Sequence, residues 1–320
     1  MNRTSIVMPD GDPLCERLFS DLDRAKRLDD LGGITVWTDA PVVDPRTVVE
    51  RCAGAQAVVF GWPLPDEVLD LPDLKIVTFM GTGAANHVNM ASARKRGIIV
   101  CNTPGYGDAA VAEHAIALML SSLRSIPRYD RSMHAGRWDA STPAREVSSS
   151  TVGLVGFGGI ARHVARVLSA MGARLLVATR TPERYRDAHP DVSFVSLEDL
   201  LRRSDIVSLH VALTPETAGM LDAGRLELLR PGTLLVNTAR AELTDEARVA
   251  ELVRNGRITA AIDVFSSEPT SEDHVFRGLD GAILTPHVGF NTPDAMERMA
   301  DITVANLAGA LTGQLVNRVA

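Results

Sequence analysis

Gly156-Phe157-Gly158-Gly159-Ile160-Ala161 follows the apolar run TVGLV and opens a stretch in which Ile160, Val164, Val167, Leu168 and Met171 recur at helical spacing. In such a GxGxxA pattern the first glycine makes a tight turn. The second lets the backbone approach a pyrophosphate, and the small sixth residue lets helix and sheet pack closely. The unpaired N–H groups and dipole at the helix start favour the anion. Taken alone, the hexapeptide reads as a turn. Between a strand-like run and an amphipathic helix, with a second run RLLVAT behind, it predicts a dinucleotide site built on Gly156, Phe157, Gly158, Gly159 and Ile160.

The second run of such a site ordinarily ends on a carboxylate that accepts from the adenosine ribose hydroxyls. Here the 23 positions from Gly156 lead to Thr179, followed by Arg180. A carboxylate would repel the extra phosphate of NADP, whereas a guanidinium pairs with it. Thr179 and Arg180, with Thr181 and Arg184 in reach if the loop curls back, therefore predict NADP(H) in preference to a still possible NAD(H). The plainer alternative is that Arg180 and Arg184 are solvated loop charges.

The elements that must carry these residues are legible as short apolar runs separated by helix-length segments. SIVM, ITVW, AVVF, KIVTF and IIVC form one series between residues 5 and 101; TVGLVGF, RLLVAT, IVSLHV, TLLVNT, TAAIDVF and AILTPH form a second between 151 and 287. Strands alternating with helices predict an α/β chain of two doubly wound parallel-sheet domains. The length, 320 residues, also suits two lobes. Between the series lies residues 102–150, an apolar helix with Val111, His114, Ala115, Leu118 and Met119 at helical spacing. Asp108 is its expected cap, and a polar arm follows it. His114, set among apolar residues, reads as a packed or interface histidine.

Composition narrows the partners. A hydrophobic share of 45% with 23% charged residues describes a globular chain, and a net charge of −7 argues against general nucleic-acid binding. The three cysteines, Cys15, Cys52 and Cys101, have neither disulfide-framework nor zinc spacing, so no metal is expected. No run has the length of a membrane span and no secretory leader is visible, which predicts a cytoplasmic protein without membrane contact.

Several segments in order resemble the D-isomer-specific 2-hydroxyacid dehydrogenases, and among them a glyoxylate or hydroxypyruvate reductase-like, NADP-leaning member. They are MGTGAANHV (80–88), GIIVCNTPGYGDAAVAEHAIALML (97–120), VGFGGIA (155–161), LHVALTPET (209–217), LLRPGTLLVNTARAELTDE (228–246), AAIDVFSSEP (260–269) and LTPHVGF (284–290). The resemblance implies a Rossmann cofactor domain, residues 102–287, inserted in a flavodoxin-like substrate domain, residues 1–101 plus 288–320. It also implies a homodimer embraced through residues 102–150. By the same resemblance His210, Val211, Ala212, Pro215, Thr217, Thr238 and Ala239 line the cofactor, and Asp263 meets the nicotinamide carboxamide. Met80, Gly81, Thr82 and Gly83 receive the substrate carboxylate, and Ala241 stands where the family usually has glycine.

Reduction of a 2-oxo acid needs a hydride donor, a proton donor and a cation. His287 suits the proton donor, because imidazole titrates near working pH. Glu268 can hold its other ring nitrogen. Arg240, following a strand whose carboxyl edge faces the ligand crevice, can fork onto the substrate carboxylate. His287 also belongs to the expected cofactor and substrate contacts, and Trp62, Met80 and Phe290 are candidates for the pocket wall. Two other functions stay open at this level: a relative acting on another small anion such as phosphite, and a dinucleotide-sensing, corepressor-like protein without turnover.

Overall fold

The computed structural model describes residues 5–41, 44–140 and 144–320. Residues 1–4 and 42–43 of the expected substrate domain and 141–143 of the polar arm lie outside the described residues. The chain divides into two compact units, Met1–Gly107 with Thr292–Ala320, and Asp108–Asn291. These divisions fall a few residues beyond the strand ends that suggest boundaries at 101 and 287. The later one coincides with Thr292, whose hydroxyl accepts from Ala295 N and caps the helix Pro293–Thr312.

The first unit holds five parallel strands, β1 (Ile6–Met8), β2 (Ile34–Val36), β3 (Ala57–Phe60), β4 (Ile76–Phe79) and β5 (Ile99–Cys101), in the order β2-β1-β3-β4-β5. This is the flavodoxin-like winding. β3 and β4 are buried on both faces, as strands of a helix-covered parallel sheet must be. The last residues run back along β5, where Val100 N donates to Ala320 O at 3.0 Å. Arg24, with a side chain only 7% exposed, is held by Asp301 at 3.0 Å and by Glu297, which fastens the helix Leu22–Leu31 to the final helix. The three cysteine thiols of this unit are free, and burial pushes them up, to about 12 at Cys15 and Cys52 and about 11 at Cys101.

The second unit holds seven parallel strands: β6 (Thr151–Val155), β7 (Arg174–Ala178), β8 (Val192–Phe194), β9 (Ile206–Leu209), β10 (Leu234–Asn237), β11 (Thr259–Ile262) and β12 (Ala282–Leu284). Their order, β12-β11-β10-β9-β6-β7-β8, is the Rossmann winding with one further strand, and its switch point lies between β6 and β9. β8 corresponds to none of the apolar runs read from the sequence, because polar residues interrupt its segment DVSFVS.

Two details of the helices differ from the sequence reading. Asp108 is not a cap but the first residue of the helix Asp108–Leu123, and its carboxylate lies against Gly159, where a side chain would collide with it. The helix Gly159–Ala170 buries Ala161, Val164, Ala165 and Leu168, whereas Val167 and Met171 are 37% and 40% exposed. The buried face therefore runs through 161, 164, 165 and 168, with small alanines at two of the four positions next to the sheet.

Candidate active site

Strand register decides which residues can meet. Val155 pairs with both Ala178 and Leu209, Leu209 with Asn237, Asn237 with Ile262, and Ile262 with Leu284. The residues that follow, Gly156, Thr179, His210, Thr238, Asp263 and Thr285, therefore stand in one row along the carboxyl edge of the sheet. In doubly wound sheets ligands bind at that edge, beside the switch point.

At the switch point Gly156 has φ +95°, a left-handed conformation that favours glycine, and a Cβ there would meet His210 O at 2.5 Å. Around Gly158 nothing stands within 4 Å of the position a side chain would take. Two buried polar atoms in the same row, His210 Nε2 and Thr238 Oγ1, have no hydrogen-bond partner among the described residues. Burial pushes the His210 imidazole down to about 4, so it is neutral at ordinary pH. A close backbone turn, open space over the second glycine and orphaned polar groups fit a dinucleotide.

The neighbouring residues divide by what their side chains do. Phe157 is buried edge-on against Tyr185, His189 and Phe194. Ile160 packs on the same core, and Val211 lies beside Gly156. Thr217 Oγ1 donates to Ala212 O at 2.7 Å and accepts from Thr214 N at 2.8 Å, closing the turn that contains Pro215. Thr179 is half-buried, and Arg180 and Thr181 are exposed. Arg184 lies 5.7 Å from the Tyr185 ring centre. The charge of Arg180 contributes to holding Glu216 below the ordinary carboxylate range, after the larger effect of the bond from Thr214.

The candidate catalytic residues assemble at the far end of the row. His287 Nδ1 lies 2.7 Å from Glu268 Oε2, and Glu268 Oε1 accepts from Phe265 N at 2.9 Å. Burial pushes the Glu268 carboxyl up, but the His287 bond, the Phe265 amide and the charges of His287 and Arg240 together hold it below its ordinary value. Arg240 Nη1 donates to Ala239 O at 2.6 Å. Its backbone is set by Asn237, a buried residue that donates to Arg240 O at 2.8 Å and accepts from Ala239 N at 3.0 Å.

Asp263, expected at the carboxamide, is 1% exposed, and its own chain engages both of its oxygens. Oδ1 accepts from Thr285 Oγ1 at 2.5 Å and Val288 N at 3.0 Å; Oδ2 accepts from Gly289 N at 2.9 Å. Burial pushes this carboxyl up, and the bonds from His114, Thr285 and the two amides outweigh it. His287 has φ +53°, a conformation that costs a non-glycine residue about 1 kcal/mol or more and persists only when its surroundings enforce it.

In the first unit Met80 and Gly81 are buried and Thr82 is exposed. Gly81 O accepts from Thr103 N at 2.9 Å, Thr82 O from Asn102 Nδ2 at 2.8 Å, and Gly83 O from Asn86 N at 3.0 Å. Trp62 follows β3, and Asp10 accepts from its amide at 2.8 Å. Elsewhere in the second unit, a groove of about 630 Å³ flanks the helix Gly159–Ala170, lined in part by Asp108, Arg162, Arg166, His189 and Asp191. Those mixed charges assemble no acid–base set, and the groove lacks His287, Glu268 and Arg240. No group of three His, Cys, Asp or Glu able to hold a metal occurs among the described residues. Asn237, Thr285 and the contact of His114 with Thr285 are not legible in the sequence. At most, an amide ending an apolar strand is a sign for the first, since a buried amide must find partners.

A Rossmann sheet with an acid–base pair and an arginine beyond its strand ends defines a dinucleotide-dependent class of protein. Comparison with known proteins narrows it. The model of the D-isomer specific 2-hydroxyacid dehydrogenase NAD binding domain matches residues 116–289, and the chain belongs to that family. It is 36% identical over 283 residues to D-3-phosphoglycerate dehydrogenase of Mycobacterium bovis, covering 88% of this chain and 53% of that protein. The chain thus spans about half the length of that relative. To glycerate dehydrogenase of Methylorubrum extorquens it is 33% identical over 295 residues, covering 88% and 89% of the two chains. The crystal structure of a Thermus thermophilus protein superposes with a TM-score of 0.86 at 31% identity, covering 99% and 100%.

Proposed function

We propose that the chain is an oxidoreductase that moves a hydride between a nicotinamide dinucleotide and a small D-2-hydroxy or 2-oxo acid, working as an NADPH-dependent reductase. The observation that carries this reading is the His287–Glu268 pair at 2.7 Å, with the charge of Arg240 acting on the same carboxylate. Relatives named glycerate dehydrogenase, hydroxypyruvate reductase and glyoxylate reductase support the substrate class.

When bound, the reduced nicotinamide supplies the hydride. The chain's residues do the rest. Arg240 binds the substrate carboxylate through its guanidinium and polarises the adjacent carbonyl. His287 delivers a proton from Nε2 to the carbonyl oxygen as C2 gains the hydride. It is left neutral, with its Nδ1 proton still directed at Glu268. In the first unit, Gly81, Thr82 and Gly83 offer backbone amides suited to an anion, and Met80 and Trp62 offer apolar surface beside them. The row Gly156, Thr179, His210 and Thr238 with Ala239 lines the dinucleotide, and Arg180, supported by Thr179, Thr181 and Arg184, pairs with its 2′-phosphate. The absence of a carboxylate at Thr179 supports NADPH over NADH.

The partner surface is a second copy of the chain. Ile126, Met133 and Trp138, in and after the helix Ile126–His134, are 52%, 55% and 88% exposed, an apolar surface of the kind that another molecule covers. Sedimentation of the purified chain is expected to give a dimer, and Trp138→Glu to weaken it. No single helix among the described residues is long and apolar enough to cross a membrane. The function is tested by following nicotinamide absorbance with glyoxylate, hydroxypyruvate, pyruvate and bulkier 2-oxo acids. Turnover of at least one is expected. Tight cofactor binding with no turnover on any would overturn the reading in favour of a sensor.

A further inference from the structure

We propose that His114 is a positioning residue for the proton donor: through Thr285 and Asp263 it fixes the backbone on which His287 stands. The inference rests on reading His287 as that donor. Its geometry lies wholly within the second unit.

The direction of each bond follows from the inventory of hydrogens. Asp263 holds its carboxyl ionised, so the single hydrogen of Thr285 Oγ1 points to Asp263 Oδ1, at 2.5 Å. Thr285 Oγ1 must then accept from its other neighbour, His114 Nε2, at 3.0 Å. This assigns the His114 proton to Nε2, which also lies 3.4 Å from Asp263 Oδ1. The chain of bonds runs from the helix Asp108–Leu123 through a hydroxyl into one buried carboxylate.

That carboxylate collects the amides of Val288 and Gly289, the two residues directly after His287. On the other side, His287 N donates to Thr285 O at 3.0 Å. Both flanks of the left-handed residue are thus tied to the Thr285–Asp263 pair. Successive amides converging on one anion form a rigid concave turn. Packing at 289 is tight: a Cβ there would lie 3.0 Å from Asp263 Oδ2 and 3.2 Å from the His114 ring, so a larger residue would press on both. A residue serving only to fill space would be apolar here, since a buried polar chain is costly unless every member is satisfied. This chain is satisfied, and its end is the segment that presents the imidazole to Glu268.

The test compares His114→Leu, Thr285→Val and His114→Gln with the parent protein. Thr285→Val is nearly isosteric and carries the test if His114→Leu does not fold. Three quantities are measured: kcat and KM with NADPH and the best 2-oxo acid, NADPH affinity without substrate, and hydrogen exchange at the 288 and 289 amides in the cofactor-free chain. The expected result is faster exchange confined to those amides, with kcat lowered about tenfold to a hundredfold and NADPH affinity held within about twofold. His114→Gln, which keeps an N–H donor, is expected to recover most of the loss. Unchanged exchange at 288 and 289, or equal losses in kcat and NADPH affinity, overturns the inference. If the parent turns over no 2-oxo acid, the functional reading fails separately, and exchange at the two amides still shows whether the brace exists.

Discussion

The two ends of the ligand edge in the second unit are built on opposite principles. Around His287 the backbone is over-determined: a left-handed residue, one buried carboxylate gathering two amides and a hydroxyl, and a 2.7 Å acid–base pair. Around Thr179–Arg184 the chain is exposed, with an arginine whose charge reaches Glu216 and another resting near Tyr185. Proton transfer demands a donor fixed to fractions of an ångström, because misplacement of about 1 Å can cost a hundredfold. Recognition of a phosphate dianion demands only charge in reach, and long solvated side chains supply it. The contrast implies that damage at the first end is steep and geometric, whereas damage at the second is shallow and electrostatic.

Substitutions can break or sharpen that contrast. The largest effect is expected of His287→Ala, which should lower kcat about 10²–10⁴-fold while NADPH titration shows binding retained; a loss of binding in step with kcat would erase the distinction between the ends. Next, Arg240→Lys keeps the charge and loses the fork, and steady-state kinetics should show kcat/KM for the oxo acid falling about tenfold to a hundredfold. At the exposed end, Arg180→Ala should shift the ratio of NADPH to NADH efficiency toward NADH by about tenfold. An unchanged ratio sinks the phosphate assignment.

The smallest effect is a matter of pH. The folded protein holds Glu268 below its ordinary value of 4.5, so its stabilising contribution is complete above that value and is lost as pH falls through the lower folded one. Melting temperatures of the parent and Glu268→Gln should differ at about pH 5–6 and converge in acid. A gap that widens on acidification would reverse the sign of the coupling.

The sequence carried most of the architecture and the identities of the site residues, but little of their support. Eleven apolar runs each hold a strand of the structure, because buried parallel strands read as continuous hydrophobic stretches. The edge strand β8 escaped because polar residues interrupt the apolar ones through DVSFVS and leave no continuous run. Glycine spacing and the missing acid at Thr179 were visible because they are local. The row from Gly156 to Thr285 was not, because register between strands is a tertiary property. His114 looked like packing, since its partner Thr285 lies 171 positions away and only folding brings an imidazole amid apolar neighbours to a hydroxyl.

Asp108–Asn291 is one uninterrupted stretch, whereas the first unit is assembled from both sides of it. Within the first unit the two crossing points lie together: Arg298 Nε donates to Tyr106 O at 2.9 Å, and Asn306 Nδ2 to Asn102 O at 2.8 Å. The polypeptide is therefore modular in the manner of a cassette in a holder. A short Gly-Ser bridge from Gly107 to Thr292 should yield the holder as a free-standing miniature, and the excised stretch offers a portable module for grafting into other scaffolds.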